Sequence, residues 1–170
     1  MSAEARAAIL AGVRRGLGRG ALSAGAVAGL EARLANPQAG PIPARAHALD
    51  QAALVELFAA EARRVHATVA RVASRDDLPD AVASYLAGEN LPPEMAAAPD
   101  PLIAGAPWHK RPLLRLKPGP PAESDQVGLS VAFGAIAETG TLMMVSGSAT
   151  PATLNFLPET EIVVLPASRV

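Results

Sequence analysis

Apolar residues recur at three- and four-residue spacing near the start of the chain and predict an amphipathic helix that begins after Ser2, a favourable N-cap residue. The helix ends near Leu17, where Gly16, Gly18 and Gly20 interrupt the pattern. Its apolar face consists of Ile9, Leu10, Val13 and Leu17.

A weaker helical pattern follows at Val27, Leu30 and Leu34. Three prolines between positions 37 and 43 then exclude regular structure. We therefore expect residues 1–47 to form an N-terminal helical arm with a proline-rich connection, and residues 48–170 to form the main domain. The arm either packs on that domain or docks onto a partner.

The first part of the main domain alternates between helical and strand patterns. Residues 49–62 carry an apolar face at helical spacing, and residues 65–69 alternate like a strand. Ser74 predicts the N-cap of a helix over residues 78–86, and residues 101–104 predict a second short strand. This order of helix, strand and helix is typical of an α/β fold with a mainly parallel sheet flanked by helices.

Short apolar runs predict further strands in the second half of the chain, with a helical turn at residues 132–137 between two of them. The run at 141–145 lies between Gly140 and Ser146 and is nearly all apolar, so it predicts a strand buried on both faces of the sheet. The predicted strands cover residues 113–116, 127–131, 141–145 and 162–165.

The composition narrows the classes of function. The chain has 170 residues, half of them hydrophobic, and a net charge of −1 with both signs interspersed, so no basic patch indicates nucleic-acid binding. No apolar run approaches the roughly 20 residues that span a bilayer, and the first residues do not resemble a signal peptide. We expect a cytoplasmic protein, and its abundant alanine is typical of GC-rich bacterial coding.

The absence of cysteine excludes more kinds of functional site than any other feature of the composition. With no cysteine, the chain has no disulfide, no thiolate nucleophile and no cysteine ligand for an iron–sulfur cluster. Its three histidines, His47, His66 and His109, are far apart in sequence and predict no metal site. In any redox role, the electrons would pass through a partner.

The densest group of polar and flexible residues is Glu138–Thr139–Gly140–Thr141, at the entry to the predicted strand 141–145. A carboxylate beside a buried strand is partly desolvated, which raises its pKa, so Glu138 is the candidate catalytic acid or base. Gly140 allows a ligand or another backbone to approach closely. Alternatively, Glu138 caps a turn, and the hydroxyls of Thr139 and Thr141 bond to main chain instead of a ligand.

Two further groups are ligand-binding candidates. Ser146, Gly147 and Ser148 follow the predicted strand 141–145, at the sheet edge where ligands usually bind, and their backbone N–H groups form either a small anion nest or a plain serine-rich turn. Glu159 lies where the chain turns into its last predicted strand.

Two motifs resemble the LUD domain family: Ala-Ile-Ala-Glu-Thr-Gly-Thr-Leu at residues 135–142 and Leu-Asn-Phe-Leu-Pro-Glu at residues 154–159. Within that family they are most similar to the lactate utilization protein C group. The resemblance implies a fold similar to the NagB/RpiA/CoA-transferase group and to 5-formyltetrahydrofolate cyclo-ligase. It also implies a part in oxidising L-lactate to pyruvate, with iron–sulfur clusters in partner proteins and no cofactor bound by this chain.

The chain departs from the family pattern at two places. Glu161 stands where the resemblance leads us to expect a histidine, and the sequence lacks the Gly-Pro-Ser-Arg-Thr-Ala-Asp-Ile-Glu segment that follows the last strand in family members. We therefore expect a C-terminally incomplete domain, and the resemblance does not say whether this subunit is itself catalytic or forms a homo-oligomer. Two alternatives are a stand-alone cyclo-ligase-like enzyme that binds a nucleotide and a non-catalytic interaction module.

Overall fold

A computed structural model describes residues 2–18, 20–40 and 44–170. The chain divides into two compact units, Met1–Ile42 and Pro43–Val170, each of which is described by itself. The predicted proline-rich connection includes positions 41–43, which lie outside the described residues.

The described part of the first unit contains two helices, α1 (Ala3–Gly16) and α2 (Ala24–Ala35). The side chain of Ser2 accepts a hydrogen bond from the backbone N–H of Ala5, and Ser23 caps α2 in the same way. These caps satisfy amide groups that have no partner within the helix. The predicted first helix is confirmed, and the weaker pattern after it also forms a helix.

The helices of the second unit begin at residues that suit a helix start. Asp50 accepts a hydrogen bond from the backbone N–H of Ala53, and Ser74 and Asp77 form a capping box at a short 3-10 turn that leads into the helix starting at Leu78. The N-cap predicted at Ser74 is therefore confirmed. These helices are α3 (Ala44–His47), α4 (Gln51–Arg64), α5 (Leu78–Gly88) and α6 (Pro101–Ala104).

Among the described residues, six strands form two sheets. They are β1 (Glu94–Ala97), β2 (Arg115–Pro118), β3 (Val127–Val131), β4 (Gly134–Ile136), β5 (Thr141–Met143) and β6 (Thr160–Val164). Four of them form a parallel sheet in the order β2-β1-β3-β6, while β4 and β5 form an antiparallel hairpin. The predicted α/β class, with a mainly parallel sheet flanked by helices, is confirmed.

The core lies around β3, which is buried at all five positions. Leu129 pairs with Ala97 of β1 on one side and with Ile162 of β6 on the other. Strands buried on both faces of a parallel sheet read as continuous apolar runs, which is why the sequence predicts β3 at its observed bounds. The hydrophobic core combines this strand with β1 and with side chains from α5, α6 and the 152–155 segment.

Three strand predictions before β3 were wrong or displaced. Residues 65–69 form no strand, because α4 ends in a turn where His66 has φ 67°. Pro101–Ala104 is a helix, since Asp100 caps it and proline suits its first position. The strand predicted at 113–116 begins two residues later, at Arg115.

The hairpin corrects two predictions in the second half. Residues 141–145 do not form a strand buried on both faces, because β5 pairs only with β4 and both its end residues are exposed. The helical turn predicted at 132–137 is instead β4, whose Gly134 pairs with Met143. The last strand, predicted at 162–165, is confirmed with a shift, and it forms one edge of the parallel sheet.

Candidate functional site

The Glu138–Thr141 segment is the turn of the hairpin, and it packs on the C-terminal half of α4. Gly140 has φ 64°, a left-handed conformation that favours glycine. A Cβ atom built there would lie 2.7 Å from the backbone N of Ala62 and 2.8 Å from the carbonyl C of Glu61. The glycine is therefore required by both its backbone angle and its close contact with the helix.

Two arginines hold the helix side of this contact. Glu61 is only 7% exposed and accepts hydrogen bonds from Arg45 and from Nε of Arg64, the latter at 2.8 Å. Arg45 also donates to the carbonyl of Glu138 at 3.4 Å, which ties the turn to the same ion-pair cluster. The guanidinium groups of Arg64 and then Arg45 hold the pKa of Glu61 below its ordinary value.

The candidate residues of the turn thus lie together. The hydroxyls of Thr139 and Thr141 are 2.7 Å apart and hydrogen-bonded, and the side chain of Glu138 is partly exposed. This geometry explains the turn as the contact between hairpin and helix. A ligand-binding role for Thr139, Gly140 and Thr141, and a catalytic role for Glu138, stay predictions.

The Ser146–Ser148 candidates lie in an exposed loop that closes on itself. The backbone N–H of Gly147 donates to the carbonyl of Thr150 at 3.0 Å, and the N–H of Thr150 donates back to Gly147. One of the three amides of the predicted anion nest is therefore engaged within the loop. Glu159 is exposed, one residue before β6.

A different pair of polar residues lies on one face of the parallel sheet. The hydroxyl of Ser130, in β3, donates to Oε1 of Glu161, in β6, at 2.7 Å. Because Gly128 pairs with Glu161 and Ser130 pairs with Val163, these side chains project from the same face. Ser130 is 2% exposed, so its hydroxyl needs a hydrogen-bond partner, and Glu161 supplies it.

Ser130 and Glu161 line a cavity of about 370 Å³, here called the sheet-face cavity, which the segment 144–156 covers. Burial raises the pKa of Glu161, and the hydrogen bond from Ser130 partly offsets that effect. A carboxyl group of this kind, in a cavity, is a candidate for proton transfer or for ligand binding.

A second cavity, of about 260 Å³, lies at the carboxyl ends of β1 and β3 and is called the edge cavity. Asp100 and Arg169 are its charged residues, while Val145 and Thr150 line this cavity and the sheet-face cavity alike. Arg169 donates to the carbonyl of Ala132 at 3.1 Å, which fixes the guanidinium group beside the end of β3. Ligands of parallel α/β sheets usually bind at this edge.

Ser146, one of the sequence candidates, is among the residues that line the sheet-face cavity. Sequence reasoning did not propose four other polar residues of the two cavities as site residues: Ser130, Glu161, Asp100 and Arg169. The usable signal was a polar residue inside a strand otherwise predicted as apolar, which Ser130 provides. Glu161 was noticed only because a histidine was expected there. Asp100 and Arg169 follow strands, and only the order of the strands in the sheet brings them together.

Two features are absent from the described part of the chain. No group of three histidine, aspartate or glutamate side chains there is arranged to hold a metal ion. No helix among the described residues is long and apolar enough to cross a bilayer.

Gly140→Ala is expected to destabilise the second unit. The left-handed backbone alone costs a non-glycine residue about 1–3 kcal/mol, and the contact with the α4 backbone adds to this cost. Urea denaturation measures the loss. Gly88→Ala is the control, because it lies in a helix with open space around it and alanine favours helix. Equal stability of the two variants would contradict the packing described.

Glu61→Gln is expected to lower the Tm at neutral pH and to matter less in acid. Because the folded-state pKa is lowered, the ionised carboxylate stabilises the fold above its unfolded-state pKa, and this contribution is lost as the pH falls through the folded-state pKa. Tm values measured from pH 7 to pH 3 test this. Glu56→Gln, which removes an exposed ion pair with Arg71, is the control and should change the Tm little.

Glu161→Gln is expected to have the opposite effect on the Tm at neutral pH, raising it instead of lowering it. Since burial raises the folded-state pKa, the wild-type protein loses stability as the pH rises from the unfolded-state value through the folded-state value. Glutamine keeps an acceptor for Ser130 and carries no charge. The variant should therefore gain Tm relative to wild type at pH 7 and show little difference at pH 3, with exposed Glu123→Gln unchanged at both. A loss of Tm at pH 7 would refute the burial argument.

The C-terminal part of the chain is similar to a known protein domain. Residues 121–170, which contain the hairpin, β6 and both Ser130 and Glu161, match the model of the LUD domain. The resemblance indicated by the sequence motifs is confirmed for this segment. No curated protein matches the chain.

A solved structure supports the fold over a larger part of the chain. The crystal structure of a DUF162 family protein from Deinococcus radiodurans superposes with a TM-score of 0.58 and 23% sequence identity, over 71% of this chain and 73% of that one. At this level of identity the similarity shows a shared α/β fold.

Proposed function

We propose that this chain belongs to the lactate utilization protein C group and acts as a subunit or accessory protein of an L-lactate oxidation system. The LUD match to residues 121–170 is the observation that carries the proposal. This matched segment contributes Arg169 to the edge cavity and the Ser130–Glu161 pair to the sheet-face cavity.

The proposed partners are iron–sulfur proteins. Oxidation of L-lactate to pyruvate removes two electrons and two protons from the substrate, and the electrons need an acceptor. The chain has no cysteine to ligate a cluster, so in this proposal the clusters belong to other subunits. The role of this chain is then to bind or position the substrate or to assemble the complex.

In this proposal the edge cavity is where a carboxylate substrate binds. Arginine presents a planar fork of N–H donors that matches a carboxylate, and Arg169 is held at the carboxyl edge of the sheet by its bond to Ala132. Asp100, which follows β1, and Ala132 and Phe133, which follow β3, border the same cavity. Glu161 disfavours the sheet-face cavity for an anion, because no cation among its lining residues offsets the carboxylate, whereas Asp100 of the edge cavity is accompanied by Arg169.

Growth on L-lactate tests the proposal. A strain lacking the gene is expected to grow poorly with L-lactate as the sole carbon source and to recover when the gene is restored. With Arg169→Gln, the recovered growth should be at least about tenfold slower than with the wild-type gene. This factor corresponds to losing about 1.4 kcal/mol of binding. Arg115→Gln, an exposed arginine on β2, is the charge-matched control and should support normal growth.

Two results would contradict the proposal. Normal growth of the deletion strain, with no duplicate gene present, would show that lactate oxidation does not need this protein. Equal growth with Arg169→Gln and Arg115→Gln would be compatible with a role in lactate oxidation but would refute the edge cavity as the carboxylate site. Expression and Tm of each variant are measured alongside, so that a folding defect is recognised.

A further inference from the structure

The sheet-face cavity has an unequal distribution of polar and apolar groups. Its apolar wall comes from the segment 144–156, and its polar groups lie both on the sheet side and within that segment. The apolar residues are Met144, Val145, Pro151, Ala152 and Phe156; the polar ones are Ser130, Ser146, Thr150, Asn155 and Glu161.

The ionisable group in this cavity is acidic. Among the ten residues that line it, Glu161 is the only ionisable one. Two of the hydroxyl groups already donate their hydrogens, Ser130 to Glu161 and Thr150 to the carbonyl of Val145. What these groups offer a ligand is therefore hydrogen-bond acceptors: the second carboxylate oxygen of Glu161 and the lone pairs of the two hydroxyls.

This arrangement selects among ligand classes. A carboxylate or phosphate ligand would face the charge of Glu161 with no cation among the lining residues to offset it. A divalent metal needs several oxygen ligands, and one carboxylate with a hydroxyl is a poor set. A small organic cation with N–H donors fits both the acceptors and the apolar wall, since an ammonium group supplies three donors.

We propose that the sheet-face cavity binds a small organic ammonium compound, with its N–H groups on Glu161 and Ser130 and its alkyl part against Met144, Val145 and Pro151. The site goes beyond lactate oxidation and does not rest on it. Its volume of about 370 Å³ lies at the small end of the range for ligand pockets, which suits a compound of a few carbon atoms.

Burial of Ser130 supports a built site. A serine in the middle of a buried strand costs stability unless its hydroxyl is satisfied, and here the partner is a carboxylate that is itself partly removed from water. An ammonium ligand would offset that desolvation by placing an opposite charge beside the carboxylate. Ligand binding and ionisation of Glu161 are then coupled.

The coupling gives the site a pH signature. The ammonium binds the ionised carboxylate, so affinity should rise with pH through the raised pKa of Glu161 and then level off. The lining residues from β3, β6 and the segment 144–156 contribute no other titrating group, and the charged neighbours across Val145 and Thr150 are Asp100 and Arg169 of the edge cavity.

Three compounds of the same shape test the proposal: isobutylamine, isobutanol and isobutyrate. Each is titrated into the full chain at constant ionic strength, with NaCl replacing the salt of the ligand, and NMR shift changes are followed. Saturable binding is expected for the amine, with much weaker binding of the alcohol and none of the carboxylate. Glu161→Gln should weaken amine binding at least about tenfold, whereas exposed Glu123→Gln should leave it unchanged.

Ser130→Ala provides a second variant, since it keeps the charge and removes one acceptor, and it should weaken amine binding by a smaller factor. The proposal is overturned by an absence of saturable amine binding, by equal binding of amine and alcohol without pH dependence, or by an affinity that Glu161→Gln does not change. These results are independent of growth on lactate, so either proposal can fail alone.

Discussion

The burial of β3 is the constraint on which the rest of the second unit depends. This strand pairs with β1 and β6 and is buried at every position, so both of its backbone edges and both of its faces are occupied. A polar side chain on such a strand must find a partner within the protein. Ser130 finds it in Glu161, and the partner strand β6 is thereby tied to β3 by a side-chain bond as well as by the sheet ladder.

Two carboxylates show how environment separates structural from chemical roles. Glu61 and Glu161 are both removed from bulk water to some degree, yet their pKa values shift in opposite directions. Two arginines neutralise Glu61, and one of them, Arg45, also bonds to the hairpin, which is the pattern of a structural ion pair. Glu161 has a neutral hydroxyl as its partner and a cavity beside it. This is the pattern of a carboxyl group that can still bind a ligand or exchange a proton.

The sequence predicted the elements whose signals are local and failed for features that depend on contacts between distant residues. Local patterns sufficed for α1, for the N-cap at Ser74 and for β3, because capping residues and continuous apolar runs act within a few positions. They failed for β5, since an apolar run buried against one neighbour looks the same as one buried in a sheet. The turn at Gly140 was recognised as special, but its contact with α4 joins residues about 80 positions apart. Likewise, Asp100 and Arg169 share a cavity only because of the strand order.

Val145 and Thr150 form a wall that separates the sheet-face cavity from the edge cavity. The loop between them is exposed, and Thr150 bonds within it to Gly147 and to the carbonyl of Val145. A molecule that displaces this wall from one side changes the shape available on the other. Thermodynamic linkage then requires reciprocity: whatever factor the first occupant imposes on the affinity of the second, the second imposes on the first.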